Sequence, residues 1–232
     1  RRSGAGVEVT SRELPEELQA QVQSSAWEKP EYPVKARKAK RLLQVLGLAT
    51  DEGEVKAALR RKFNQINRLI LLIQPMLEKL PRDRQVVILD CGCGKSYLTF
   101  LLNYHFRRNL KVQAFFYGID REPALIDRCR QMQEELKWNN MQFERGVIAG
   151  FEPERQVDLL ISLHACNTAT DEALVRAVRM GVPNILVAPC CQQELVGQLD
   201  AEACPGLFDE GLLKERMAAL MTDALRCLAL RA

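Results

Sequence analysis

Short apolar runs alternate with segments of helical spacing along most of this chain. The clearest run is Val86-Val87-Ile88-Leu89, four consecutive apolar residues rich in β-branching, which predicts a buried parallel strand. Similar runs predict four further strands, at residues 112–119, 142–148, 157–163 and 184–188. Because helical segments separate the strands, the pattern predicts an α/β fold with a mostly parallel sheet.

The segments that follow the strands carry apolar residues three or four positions apart, which is the spacing of one helix face. This periodicity predicts four helices, at residues 95–106, 123–137, 171–180 and 212–230. In the second of them the residues expected to face inward are Leu125, Ile126, Cys129, Met132 and Leu136.

The residues before the first strand have a different pattern, in which short helical segments are interrupted by prolines. A short helix is predicted at residues 13–23, and a basic run at residues 35–41 leads into an apolar helix that Gly47 can end. Pro75 and Pro81 are expected to close this part. We therefore predict a basic helical N-terminal module at residues 1–81 and an α/β domain at residues 82–232.

The longest helix of the N-terminal module is predicted from a capping signal. Asp51 followed by Glu54 is a plausible capping box, which places the start of the helix there. Its apolar stripe, which should pack on the α/β domain, consists of Val55, Leu59, Phe63, Ile66, Ile70 and Ile73.

Charge is distributed unevenly along the 232 residues, although the net charge is only +3. Residues 1–85 hold 17 Lys and Arg against 11 Asp and Glu, while the remainder holds 16 against 19. A basic N-terminal part suggests an anionic partner, and the candidate substrate-binding residues are Lys56, Arg60 and Arg61. The alternative is an ordinary solvated helix face.

The eight cysteines do not have the spacing of a secreted disulfide scaffold, and several follow predicted strands. We therefore expect reduced thiols in a cytoplasmic protein. There is no Cys-x-x-Cys pair, so no structural zinc site is predicted. No apolar run approaches the roughly 20 residues of a membrane span, so no membrane partner is expected.

The first strand leads into a glycine-containing loop, Asp90-Cys91-Gly92-Cys93-Gly94. A strand, a glycine loop and a helix form the unit at which α/β sheets hold nucleotide-like ligands. Tyr97 stands where a dinucleotide fingerprint needs its third glycine, and Leu89 stands where a P-loop needs its first. Neither phosphate-binding motif is therefore met, and what remains is Asp-x-Gly-x-Gly.

Two later strand ends offer further ligand contacts. Asp120 ends the second strand, where a carboxylate in nucleoside-binding folds accepts hydrogen bonds from ribose hydroxyls. The alternative is a cap for the helix that follows. Val147, near the end of the third strand, could pack against an adenine ring, although a buried strand end would have the same sequence.

His164, one of two histidines, follows the predicted fourth strand. A histidine there suits a general base or a donor that orients the target, with a purely structural role as the alternative. Asp171 is either the cap of the next helix or a partner for His164. The other histidine, His105, lies within a predicted helix and is expected to be structural.

The fifth predicted strand is followed by Pro189, Cys190 and Cys191. Strands one, four and five are expected to be neighbours, so Cys166, Cys190 and Cys191 can approach His164. A metal site is disfavoured because no ligand pair has the usual spacing. Cys190 as a nucleophile toward a pyrimidine ring stays possible. A role as small packing residues is favoured.

These motifs together resemble a known family. The Asp-x-Gly-x-Gly loop resembles motif I of class I S-adenosylmethionine-dependent methyltransferases. The loop, Leu163-His164-Ala165-Cys166 with Thr170-Asp171, and the Cys190-Cys191 pair are together similar to a methyltransferase-like group related to a eukaryotic tRNA 2′-O-methyltransferase family. Asn167 and Gln192 depart from the pattern of that group, which has Gly and often His there.

The resemblance implies a Rossmann-like methyltransferase sheet, S-adenosylmethionine as the cofactor and RNA (tRNA or rRNA) as the partner. Such a sheet normally has a sixth and a seventh strand, which we expect to lie outside the given sequence. The implied catalytic residues are His164, Asp171 and Cys190. The implied cofactor-binding residues are Asp90, Gly92, Gly94, Tyr97, Leu98, Asp120, Arg121, Val147, Ser162 and His164.

The sequence therefore predicts an S-adenosylmethionine-dependent methyltransferase that acts on RNA. No Asp/Asn-Pro-Pro-aromatic motif follows the fourth strand, which disfavours methylation of adenine amino groups and favours a ribose hydroxyl. Two alternatives stay open. One is a methyltransferase for a small molecule or a protein, and the other is a non-catalytic, cofactor-binding subunit that associates with RNA.

Overall fold

The computed structural model describes residues 31–163, 168–189 and 194–231. Within these ranges the five predicted strands are confirmed. The third, fourth and fifth strands end earlier than predicted, because their hydrogen-bonded pairing stops before the apolar run in the sequence does. Their bounds are β1 (Val86–Cys91), β2 (Ala114–Asp120), β3 (Met141–Arg145), β4 (Leu159–Ser162) and β5 (Asn184–Val187).

The described ranges also contain six α-helices, while the helix predicted at residues 13–23 lies outside them. Shorter helical turns occur at Ala57–Leu59, Phe106–Leu110, Ile148–Gly150 and Ala201–Ala203. No helix in the described part has the length and apolar character that crossing a membrane requires. The α-helices are α1 (Lys40–Val45), α2 (Arg60–Leu77), α3 (Tyr97–His105), α4 (Pro123–Leu136), α5 (Thr168–Arg179) and α6 (Gly211–Ala229).

The five strands form one parallel sheet in the order β3-β2-β1-β4-β5. From β1 the chain adds strands on one side as far as β3, and it then resumes on the other side of β1 with β4. This reversal leaves a crevice at the carboxyl ends of β1 and β4, which is where open α/β sheets bind ligands. Asp90 of β1 stands there, opposite Gly118 of β2 and Ile161 of β4.

Helices cover both faces of the sheet, so all six residues of β1 are buried. Val86 and Ile88 point into a core shared with α1, α2, α3 and α4. Val87, Leu89 and Cys91 point into a second core on the opposite face, which α5 covers. Because side chains alternate along β1, the strand contributes to both cores. The sheet is thus the middle of three layers, with helices on either side, as expected for a parallel sheet.

The start of α2 differs from the prediction. The helix begins at Arg60 rather than at the capping signal of Asp51, so that prediction was wrong. The preceding residues instead form a turn closed by a bridge between Ala49 and Val55, in which Gly53 has a φ of 93°. A left-handed residue cannot continue an α-helix, so the helix starts after it. The buried part of the predicted stripe is Phe63, Ile66, Ile70 and Ile73.

The connection from α2 to the sheet is held by an ion pair. The helix runs through Pro75 to Leu77, so the expectation that Pro75 closes this part was wrong. Arg84 donates to both carboxylate oxygens of Asp158, over 2.9 and 2.6 Å, and the backbone N–H of Val87 donates to Asp158 over 2.9 Å. Burial alone would raise the pKa of Asp158, but these bonds outweigh it and lower the pKa.

Residues 33–232 form one compact unit. Apolar residues of α1 and α2 join the same core as β1, α3 and α4. The packing shows no gap at the predicted boundary at residue 81. The division of the chain into a basic part and an α/β part by function stays a prediction.

Candidate functional site

The loop that follows β1 is pinned to the end of β2 by its backbone. Gly92 and Gly94 have φ values of 70° and 55°, which favour glycine at both positions. The N–H groups of Gly92 and Cys93 donate to the carbonyl of Ile119 over 2.9 and 3.0 Å, and that of Gly94 donates to Asp120 Oδ2 over 2.8 Å. Three consecutive N–H groups are thus already bonded, so this loop does not offer them to a phosphate.

Asp120 connects that loop to the next helix. Its Oδ2 accepts from Gly94, and its Oδ1 accepts from the backbone N–H of Glu122 over 3.0 Å. The cap of α4 is Glu122, whose carboxylate accepts from the N–H of Ala124, so the alternative of Asp120 as the cap does not hold. Each carboxylate oxygen has two lone pairs, so Asp120 keeps acceptor capacity for a ligand.

Asp90 is a buried carboxyl group directly before the loop. It is 6% exposed, and the hydroxyl of Thr99 on α3 donates to it. Burial, together with the nearby charge of Asp120, raises the pKa of Asp90 to about 6, although the Thr99 hydrogen bond acts in the opposite direction. In this structure Asp90 therefore mainly fixes the start of α3 behind the loop.

The end of β3 brings an apolar side chain next to Asp120. The N–H of Gly146 donates to the carbonyl of Asp120 over 3.0 Å, and Val147 follows with 50% of its side chain exposed. A Cβ built on Gly94 or on Gly146 would meet nothing within 4 Å. The site thus combines a carboxylate, an exposed apolar side chain and open space at two glycines.

Four other predicted cofactor-binding residues surround this loop in different ways. Ser162 is buried and donates to the carbonyl of Cys91 over 3.2 Å, which ties the end of β4 to the end of β1. Leu98 is buried in the core, and Tyr97 is partly buried at the start of α3. Arg121 is exposed and pairs with Glu172 over 3.4 Å.

Asp171 has a partner that the sequence did not suggest. Helix α5 begins at Thr168, so Asp171 lies in its first turn and is not the cap. Arg226 of α6 donates to both of its carboxylate oxygens, over 2.6 and 2.9 Å. The carboxylate therefore ties α5 to α6. The sequence pattern gave no signal for this ion pair, because the two residues are 55 positions apart.

The predicted acceptor side of the site lies largely outside the described residues. These undescribed positions include His164, Cys166, Cys190 and Cys191, together with Asn167 and Gln192. The predicted substrate-binding residues Lys56, Arg60 and Arg61 are described and exposed, and they lie at and just before the start of α2.

An apolar cavity of about 600 Å³ lies between α5 and α6. Its walls include Leu174, Val178 and Leu225, and the Asp171–Arg226 pair lies at its side. Sequence reasoning missed this cavity, because the periodicity of each helix shows an apolar face but not which neighbour that face meets.

Comparison with known protein families gives one match. The family described as "Methyltransferase domain" matches residues 61–198, which is more than half of the chain. No curated protein matches.

Three of the solved structures to which the chain is similar are the following. The CMeT domain of the citrinin polyketide synthase is 17% identical, with a TM-score of 0.44 over 65% of this chain and 42% of that domain chain. A SAM-dependent methyltransferase from Geobacter sulfurreducens in complex with S-adenosyl-L-homocysteine is 14% identical, with a TM-score of 0.36 over 75% and 55%. An rRNA methylase from Streptococcus thermophilus is 13% identical, with a TM-score of 0.40 over 52% and 70%. The chain thus spans less than half of the first of these. Identities and TM-scores this low carry no information about the substrate.

Proposed function

The chain belongs to the methyltransferase-domain family, whose methyl donor is S-adenosylmethionine, and on that premise we propose that it transfers a methyl group from this cofactor to RNA. The observation that carries the cofactor half is the meeting of Asp120, Gly94 and Val147 at the carboxyl edge of the sheet. Ribose hydroxyls need acceptors, an adenine ring needs apolar surface, and the methionine part needs close approach to backbone. The three residues fit these needs.

The bound cofactor supplies a methyl group that its sulfonium has already activated. The protein then has mainly to hold the acceptor atom in line with that methyl group. We assign to His164 the task of accepting or orienting the proton of the acceptor. Cys190 is the alternative if the acceptor is a pyrimidine carbon. Asp171, through Arg226, would position the helix that follows His164.

The RNA half of the proposal rests on charge. Lys56, Arg60, Arg61 and Arg68 are exposed on the first half of α2 and on the segment before it. Exposed cations at this spacing suit phosphate contacts, which predicts binding that weakens as salt is added. Within RNA, the resemblance to the tRNA 2′-O-methyltransferase group favours a ribose hydroxyl of tRNA or rRNA as the acceptor.

The deciding experiment is incubation with methyl-labelled S-adenosylmethionine and separate fractions of total RNA, protein and small metabolites. Label in RNA at low salt supports the proposal. Label confined to protein or metabolites would overturn the RNA half and leave the methyltransferase. Cofactor binding without label in any fraction would instead favour a non-catalytic RNA-associated subunit.

One observation favours a small apolar acceptor as the second candidate. The cavity between α5 and α6 is lined mainly by aliphatic side chains and borders Asp171. Label in the metabolite fraction, together with loss of that label on replacement of Val178 by Trp, would support this candidate.

A further inference from the structure

Two cysteine thiols contact one carbonyl group in the loop after β1. The Sγ of Cys93 lies 4.0 Å from the carbonyl oxygen of Gly94, and the Sγ of Cys129, from α4, lies 3.5 Å from the same oxygen. Both sulfurs therefore contact the same backbone oxygen. Residues 36 positions apart in sequence thus form a close pair of sulfur nucleophiles inside the proposed cofactor site.

The fold makes room for this pair. Helix α4 follows β2 and packs on the same face of the sheet as α3, which brings Cys129 under the loop. Gly118 on β2 leaves the space that Cys93 needs, because a Cβ at position 118 would lie 3.3 Å from Cys93 Sγ and 2.6 Å from the ring of Phe143. The proximity of the thiols therefore follows from packing that β2 and α4 impose.

A third nearby thiol, Cys91, is separated from the pair. Cys91 belongs to the core on the opposite face of the sheet, whereas Cys93 and Cys129 belong to the face that α3 and α4 cover. Cys91 is completely buried in that core, so an oxidant in solvent does not reach it. Cys93 is only partly buried, so a small oxidant can reach its thiol.

We propose that Cys93 and Cys129 are an oxidative modification site, at which a peroxide converts the two thiols into a disulfide that weakens cofactor binding. One thiolate attacks a peroxide oxygen, the O–O bond breaks, and a sulfenic acid and hydroxide form. The second thiolate then attacks the sulfenic sulfur, and a second hydroxide leaves. With hydrogen peroxide, two thiols and one peroxide give one disulfide and two waters.

The expected effect on the cofactor follows from the loop geometry and rests on the proposed function. A disulfide brings the sulfurs to about 2 Å from each other, much closer than any hydrogen-bonded contact. Cys93 lies between Gly92 and Gly94, whose left-handed conformations and bond to Asp120 define the loop. Drawing Cys93 toward α4 displaces Gly94 from Asp120, so both the ribose acceptor and the open space at Gly94 are disturbed.

The covalent half is tested by peptide mapping of the full chain under non-reducing conditions. After treatment with hydrogen peroxide, we expect a peptide pair that joins Cys93 to Cys129, has lost two hydrogens, and separates on addition of dithiothreitol. The Cys227→Ser variant, which removes an exposed thiol on α6, is the matched control and should give the same linked pair. Absence of the linked pair in both proteins would overturn the proposal.

The functional half is tested by calorimetric titration with S-adenosyl-L-homocysteine before and after peroxide. The wild type should bind at least tenfold more weakly when oxidised and recover with dithiothreitol. Cys93→Ser and Cys129→Ser, which cannot form the bond, should show no change with peroxide, whatever their starting affinity. A mapped disulfide with unchanged wild-type affinity would overturn the switch.

Failure of the proposed function gives a different result. If the reduced wild type did not bind S-adenosyl-L-homocysteine at all, the cofactor site would be refuted. Peptide mapping would still decide whether the disulfide forms.

Discussion

At the scale of single residues, Asp120 does two things with one carboxylate. It accepts hydrogen bonds from Gly94 and from Glu122, which fixes the loop between β1 and α3 relative to the start of α4. Among the described residues, no other group donates a hydrogen bond to Asp120. Its remaining lone pairs therefore stay available to a ligand. The position of the loop and the recognition of a ribose are therefore linked through this side chain.

Replacing Asp120 by Asn tests that link. The amide nitrogen must face one of the two backbone N–H donors, and the negative charge is lost. We expect about tenfold to a hundredfold weaker binding of S-adenosyl-L-homocysteine by calorimetry, since a hydrogen bond to a charged group contributes about 1.5–3 kcal/mol. Asp127→Asn, which alters an exposed carboxylate on α4, should bind as the wild type does. Equal affinity in the two variants would refute the ribose role of Asp120.

His105 is a buried residue with a structural role. Its two ring nitrogens lie 2.8 Å from Gln74 on α2 and 2.8 Å from Asn109, which in turn donates to the carbonyl of Pro33 over 2.7 Å. Burial lowers the pKa of His105 to about 4 from an ordinary value of 6.5, although Glu78 acts to raise it. The neutral ring is thus the form that the folded protein holds.

The pH dependence of stability follows from this shift. Between pH 6.5 and pH 4 the unfolded chain binds a proton that the folded chain does not, so lowering the pH through this range favours unfolding. His105 alone should make the protein about 2 kcal/mol less stable at pH 5 than at pH 7. Urea unfolding of wild type and His105→Gln at both pH values isolates this contribution. The same pH dependence in both proteins would contradict the shift.

At the scale of elements, a substitution in the loop between β1 and α3 can test whether the cofactor occupies the open space at Gly94. Gly94→Ala puts a methyl group there and strains a left-handed residue, at a cost of about 1 kcal/mol. Gly181→Ala is a matched control, because Gly181 follows α5, has a φ of 63° and also has nothing within 4 Å.

Both alanine variants should lose similar stability in thermal unfolding, since the strain is similar. Gly94→Ala alone should bind S-adenosyl-L-homocysteine at least tenfold more weakly. If Gly181→Ala lost as much affinity, or if Gly94→Ala lost none, the loop would not be the cofactor site.

Elements with a strong local signal were predictable from the sequence. The apolar run of β1, the glycines after it and the periodicity of α4 each depend on neighbours within a few residues, and all three match the structure. The helix expected at Asp51 failed because the left-handed Gly53 outweighs a capping box. The pairing of Asp171 with Arg226 could not be predicted, because it depends on how two distant helices pack.

Cys129 shows what the helical periodicity of α4 can and cannot predict. The helical spacing of α4 correctly predicts that its side chain faces inward, and it is fully buried. Only the order of strands and the glycine at position 118 bring it beside Cys93. A periodic pattern therefore gives the direction of a side chain but not its neighbour.

At the scale of the whole molecule, the net positive charge lies in the sequence before the sheet, and the proposed cofactor loop lies after β1. This separation predicts that RNA binding and cofactor binding can be altered independently. The double variant Arg60→Glu, Arg61→Glu should weaken binding of total tRNA and leave binding of S-adenosyl-L-homocysteine unchanged. The slope of log affinity against log salt should become shallower by about 2, or about 1 for each lost phosphate contact.

The matched control for this charge reversal is Lys214→Glu, Arg216→Glu on α6, which changes the net charge equally. Filter binding of labelled tRNA over a series of salt concentrations measures both variants. If the two lost affinity to the same extent, net charge rather than the basic part would govern binding.

The central place of β1 also has a consequence for synthesis on the ribosome. One edge of β1 pairs with β2, which follows closely, but the other edge pairs with β4, roughly 70 residues later. At about 5–20 residues per second, that second edge of a mostly apolar strand waits roughly 4 to 14 s for its partner. An open edge of this kind is a template for pairing with other chains. The nascent protein is therefore most prone to association in the interval before residues 159–162 emerge, and slowing translation there should lower its soluble yield.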